Sequence, residues 1–81
     1  MTTKMVTLVG DDWTLITELP SMLQFSSEMY MYITDGAAPT ENIGFVMETN
    51  EKYVSSAALS IWAKPIKNKT TIKSVKVVEI A

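Results

Sequence analysis

The sequence predicts an all-β chain: one domain over residues 1–81, a small antiparallel β-sandwich or barrel of six to eight short strands. Three observations carry this. Segments rich in Val, Ile, Thr, Tyr and Trp run nearly end to end, and most alternate apolar and polar residues at period two. Turn formers (Gly-Asp-Asp, Pro-Ser, Asp-Gly, Thr-Asn-Glu) separate them at short intervals. No long window carries a helical apolar period; residues 55–63 are the one stretch able to form a helical turn.

Each element follows from local pattern. Met5-Val6-Thr7-Leu8-Val9 is almost continuously apolar, as in a strand covered on both faces. Gly10-Asp11-Asp12 turns the chain. From Trp13 to Leu19, Trp13, Leu15 and Leu19 share one face, and Thr14, Ile16 and Glu18 the other. Pro20 cannot donate to a ladder and closes that strand. Met22 to Ser26 is a short strand or a bend. Glu28 to Thr34 carries the strongest strand pattern, with Met29, Met31 and Ile33 on one face and Tyr30 and Tyr32 on the other. Asp35-Gly36-Ala37-Ala38-Pro39-Thr40 is a loop, Gly44 to Met47 a strand, and Thr49-Asn50-Glu51 a polar turn. Lys52 to Ser55 reads as a short edge segment. Leu59 to Lys64 alternates and stops at Pro65. In the last strand, Ser74 to Ile80, Val75 and Val77 oppose Val78 and Ile80. Adjacent valines imply a bulge near Val77 or cover on both faces.

Composition removes much chemistry. There is no histidine, cysteine or arginine. Disulfides and thiolate metal sites are excluded, and zinc or haem ligation of the familiar kinds loses its donors. No metal and no cofactor are expected. Nor does any stretch approach the ~20 apolar residues of a membrane helix, and Met1 to Met5 lack a signal-peptide pattern. No membrane partner is expected. At 81 residues the core is thin, and without disulfides or metals the added stability is expected from self-association or from an unusually well packed core.

Charge is sorted along the chain. Eight of nine acids precede Lys52, and six of seven lysines lie from Lys52 onward. Complementary ends suit packing between identical subunits. A folded sheet that interleaves both signs accounts for the same sorting.

The remaining routes to chemistry are sparse. Asp11, Asp12 and Asp35 could gather oxygen ligands for a cation, but adjacent aspartates are ordinary turn formers and no dense calcium-loop spacing is present. Serines lack a histidine base; Lys52 beside Ser55 and Ser56 is the only close serine–lysine pairing. Tyr53, Trp62 and the lysines from Lys64 to Lys76 suggest a single-strand nucleic-acid grip. The sequence pI of about 4.9 and the missing arginine argue against it, and a solvated lysine loop explains the same residues. Asn68-Lys69-Thr70 fits the glycosylation pattern, which means nothing without a secretory signal. No catalytic residue is assigned, and the chain is expected not to be an enzyme.

Six methionines are present. They serve either as adaptable core filling or, with Met29 and Met31, as an apolar sheet face that a second subunit covers. The candidate interface residues are Met29, Met31, Ile33, Pro39 at the tip of its loop, and Trp62.

Trp13-Thr14-Leu15-Ile16-Thr17, then Met31-Tyr32-Ile33-Thr34-Asp35-Gly36-Ala37-Ala38-Pro39-Thr40, Gly44-Phe45-Val46-Met47 and Ile61-Trp62-Ala63-Lys64, occur in an order that resembles small accessory structural proteins of tailed bacteriophages. The methionine content departs from that pattern. The resemblance implies a β-sandwich or barrel-like virion component assembled in the bacterial cytoplasm as a head decoration or as a tail or fibre accessory. It implies a homo-oligomer, a trimer foremost, docked on a larger capsid or tail protein, with no catalytic residues. The alternatives are a small nucleic-acid-binding barrel and an inhibitor of a host protein whose acidic first half mimics nucleic acid.

Overall fold

The computed structural model describes residues 2–8, 12–66 and 73–80. Eight strands form: β1 Thr2–Thr7, β2 Thr14–Thr17, β3 Ser21–Phe25, β4 Met29–Thr34, β5 Phe45–Met47, β6 Lys52–Ser55, β7 Ser60–Pro65 and β8 Ser74–Glu79. They make two four-stranded antiparallel sheets, ordered β1-β8-β3-β6 and β2-β7-β4-β5. The expected all-β sandwich is what the chain adopts.

The strand order has a simple origin. The first strand pairs with the last, the second with the seventh, the third with the sixth and the fourth with the fifth. The chain is therefore one long antiparallel hairpin whose tip is the loop between β4 and β5. Rolling that hairpin on itself adds the pairings β8 with β3 and β7 with β4, which complete both sheets. This is jelly-roll connectivity. It also lays the acidic first half of the chain along the basic second half. The one ion pair among the described residues, Lys4 Nζ to Glu79 Oε2 at 3.3 Å, joins the two residues that break the sorting.

Period-two alternation builds the core. Leu23 and Phe25 from β3, Met29 and Met31 from β4, Met47 from β5, Ile61 and Ala63 from β7, and Val75 and Val77 from β8 meet between the sheets. Leu8, Ile16 and the half-buried Val6, Ile33 and Tyr53 complete the cluster. Each fully buried Leu, Ile, Phe or Met contributes about 1.5–3 kcal/mol relative to exposure.

Three local readings change. Met5 is 61% exposed, because β1 is an outer strand paired only with β8, not a strand covered on both faces; Val9 lies outside the described residues. β8 keeps continuous register with both neighbours through Val77, so the adjacent valines need no bulge: Val77 enters the core and Val78 stays half-buried on the outer face. Residues 56–59 hold no helical turn.

The bulge sits in β2 instead. Leu15 pairs with Trp62 and Thr17 with Ile61, so Ile16 is the extra residue. It turns both Ile16 and Thr17 inward and leaves Leu15 exposed. The buried Thr17 hydroxyl accepts a bond from the Leu19 amide at 3.2 Å and donates to Glu79 Oε2 at 3.3 Å. Ser21, also buried, donates to the Leu19 carbonyl at 2.7 Å. Burial of these hydroxyls is thus matched by partners. Between β5 and β6 the Glu51 amide donates to the Glu48 carbonyl at 3.0 Å, and Asn50 takes a φ of 64° that asparagine tolerates.

Candidate docking surfaces

Three surfaces outside the core concentrate side chains able to recognise a partner. The first is the outer face of β1-β8-β3-β6. Cross-strand register lines up Thr3, Val78, Met22 and Val54 in one row and Met5, Lys76, Gln24 and Lys52 in the next. Met22 is 44% exposed and Val54 61%. A shallow depression of about 280 Å³ lies here, floored by Met22, Val54 and Val78 and bordered by Lys52 and Lys76. The two rows contain no acid, and neither lysine is in a salt bridge with a described residue. The lysine stems extend the apolar area while their ammonium groups stay in water.

The second is the segment from Glu41 to Glu48. It leads into β5, which among the described residues pairs with β4 alone and leaves its other edge open. Ile43, Phe45 and Val46 are 62%, 67% and 49% exposed, between exposed Glu41 and Glu48. Three large apolar side chains on an open edge are the arrangement that soluble β proteins ordinarily protect.

The third is the outer face of β2-β7-β4-β5, where aromatic residues meet the hairpin tip. Trp13 packs edge-to-face on Tyr32, centroids 5.8 Å apart at 69°, with Lys64 Nζ 5.5 Å from the Trp13 ring centre. Trp13 Nε1 donates to the Glu41 carbonyl at 2.8 Å, and Lys64 Nζ to the Asn42 carbonyl at 3.1 Å. These contacts hold the loop after β4 against the sheet. Gly44 makes room for it: a Cβ there would collide with the Met31 carbonyl and come within 3.1 Å of Trp13 Cη2. Trp62 Nε1 donates to Thr34 Oγ1 at 2.9 Å. Beside them Tyr32, Thr34, Asp35 and the Ala37–Thr40 stretch surround an open depression of about 450 Å³. Gly36, at φ 124°, supplies the left-handed turn that starts this loop.

The expected interface residues divide accordingly. Met29 and Met31 lie inside the sandwich, fully covered by the opposite sheet of the same chain, and Ile33 packs beside them. A surface contact on the folded chain does not reach Met29 or Met31. Pro39 and Trp62 are half-buried on the outer side. The residues that reasoning from sequence missed are Met22, Val54 and Val78. Each is an apolar residue at a solvent-side position of its strand, which is a readable signal, but only pairing shows that the three adjoin.

The other constellations separate in space. Tyr53 packs against the core from the first sheet, whereas Trp62 faces outward on the second, so they do not form one stacking platform. Lys67, Lys69 and the Asn68 pattern lie outside the described residues, and Lys73 is buried at 5% exposure. Lys52 and Ser55 point to opposite faces of β6, and Ser55 Oγ donates to the Ala57 carbonyl at 3.2 Å. Asp11 is outside the described residues, and no three acids among the described residues gather as a cation site. No helix among them is long and apolar enough to cross a membrane. Compared with known proteins, the chain matches no family model, and no curated protein or solved structure is significantly similar to it.

Proposed function

We propose that this chain is a non-enzymatic structural component of a phage particle, which associates with copies of itself and docks on a larger shell or tail protein. The observation that carries the reading is the acid-free apolar face outside β1-β8-β3-β6. The core beneath it is already filled by Leu23, Phe25, Val75 and Val77, and Met22, Val54 and Val78 lie outside it on the solvent side. A contiguous exposed apolar patch of this kind marks a contact surface. Jelly-roll connectivity is shared by viral shell proteins, lectins and cupins, so it agrees with this reading without choosing it. The phage setting rests on the ordered sequence resemblance.

The test is mass spectrometry of purified particles from cells that produce the chain. A fixed copy number per particle, retained through a density gradient, is the expected result. Recovery of the chain only from the soluble fraction of the lysate overturns the assignment.

A further inference from the structure

The two exposed apolar surfaces have complementary chemistry, and we infer that they are mates: the Glu41–Glu48 segment of one copy seats on the outer face of β1-β8-β3-β6 of the next. This rests on the self-association proposed above and specifies its geometry.

Charge selects the pairing. The receiving face carries Lys52 and Lys76 and no acid in its two central rows, while the inserting segment carries Glu41 and Glu48 and no lysine. A symmetric contact between two such faces sets Lys52 and Lys76 against the same lysines of the other copy. A symmetric contact between two β5 edges brings together two copies of a segment that carries Glu41 and Glu48 and no lysine. Both symmetric arrangements place like charges together, which is unfavourable. Only the mixed arrangement places carboxylates beside ammonium groups.

Shape agrees with charge. The depression of about 280 Å³ beside Lys52 and Lys76 is of a size to receive an aromatic ring, and the Phe45 ring is 67% exposed on its own chain. The segment belongs to the edge of one sheet and the receiving face to the outside of the other, so a chain cannot satisfy itself. Because the two patches differ, the contact is head-to-tail. It closes a ring when the rotation per copy divides a full turn and otherwise extends a filament. Seating the segment also shields the β5 edge from pairing with other strands.

Charge exchange tests this. One variant carries Lys52→Glu and Lys76→Glu, and a second carries Glu41→Lys and Glu48→Lys; all four side chains are solvent-exposed in the folded chain. By sedimentation velocity at low salt, each variant alone is expected to associate about tenfold or more weakly than the wild type. An equimolar mixture is expected to regain association, since each face then meets a segment of opposite charge. Folded variants are a precondition the mixture itself checks, because unfolded chains do not regain a specific complex. Wild-type association by either variant alone overturns the head-to-tail mating, as does a mixture no better than its parts. A wild type that never associates removes self-association itself, and the mating with it. As a second readout, the chain has no native cysteine, so Phe45→Cys and Met22→Cys variants mixed in equal amounts under oxidation are expected to form the mixed disulfide dimer well beyond the half share that random pairing gives. A statistical mixture of dimers counts against the contact.

Discussion

Replacing Trp13 by alanine should release the hairpin tip from the sheet that carries it. Three contacts are lost together: the edge-to-face pairing with Tyr32, the Lys64 ammonium over the ring, and the Nε1 bond to the Glu41 carbonyl. Pairs of the first kind contribute about 0.5–1.5 kcal/mol. A cation–π contact at a partly exposed site contributes about 0.5–1 kcal/mol. The hydrogen bond adds about 0.5–1.5 kcal/mol. The expected loss is about 1.5–4 kcal/mol, which for a domain of this size lowers the melting temperature by about 6–30 °C. Trp13→Phe keeps an aromatic ring but loses the N–H donor, and should cost about 1 kcal/mol. Thermal unfolding followed by circular dichroism measures both, and Trp62 remains as a fluorescence reporter. Adding Lys64→Met to each background isolates the cation–π coupling, expected at about 0.5–1 kcal/mol. If Trp13→Ala melts within about 2 °C of the wild type, the loop is not held in this way and the reasoning fails.

The methionines divide by facing. Met31→Ala opens a cavity between the sheets and should cost about 2–5 kcal/mol in chemical denaturation, whereas Met22→Ala should change stability by less than about 0.5 kcal/mol while weakening self-association. Gly44→Ala drives a methyl group into the Met31 carbonyl, a backbone atom that cannot step aside; a loss of about 1–3 kcal/mol with weakened protection of β5 amides in hydrogen exchange is expected. The buried Ser27 hydroxyl has no hydrogen-bond partner among the described residues. Ser27→Ala should therefore hold stability or raise it by up to about 1 kcal/mol, and a clear loss in urea unfolding would show an unrecognised partner.

Strand positions were legible because each strand writes its own alternation and each turn its own residues. Glu28 to Thr34 shows its extent and separates its two faces, and Asp35-Gly36 marks the loop after it. Facing failed where one residue broke the period. The β2 bulge at Ile16 puts Thr17 inward beside it, against the expected alternation, and nothing local distinguishes a bulged Thr-Leu-Ile-Thr from a regular one. Pairing was illegible for a different reason. β1 lies beside β8, with almost the whole chain between them, and no short-range signal encodes that contact. The docking surfaces inherit that limit: Met22, Val54 and Val78 come from three strands and become one patch only once register is fixed. For Met29 and Met31 the sequence leaves core filling and a face covered by a second subunit both open, because a core of this size is thin. The rolled hairpin instead supplies the second sheet that covers them.

The central claim is that a chain with a complete core still carries surfaces that complete one another between copies. Sedimentation equilibrium of the wild type tests it most directly, across a concentration series at about 0.05 M and about 0.5 M salt. The expected result is species heavier than the 9.0 kDa chain that grow with concentration and recede at high salt. A single 9.0 kDa species in both buffers, up to about 100 µM, would contradict it.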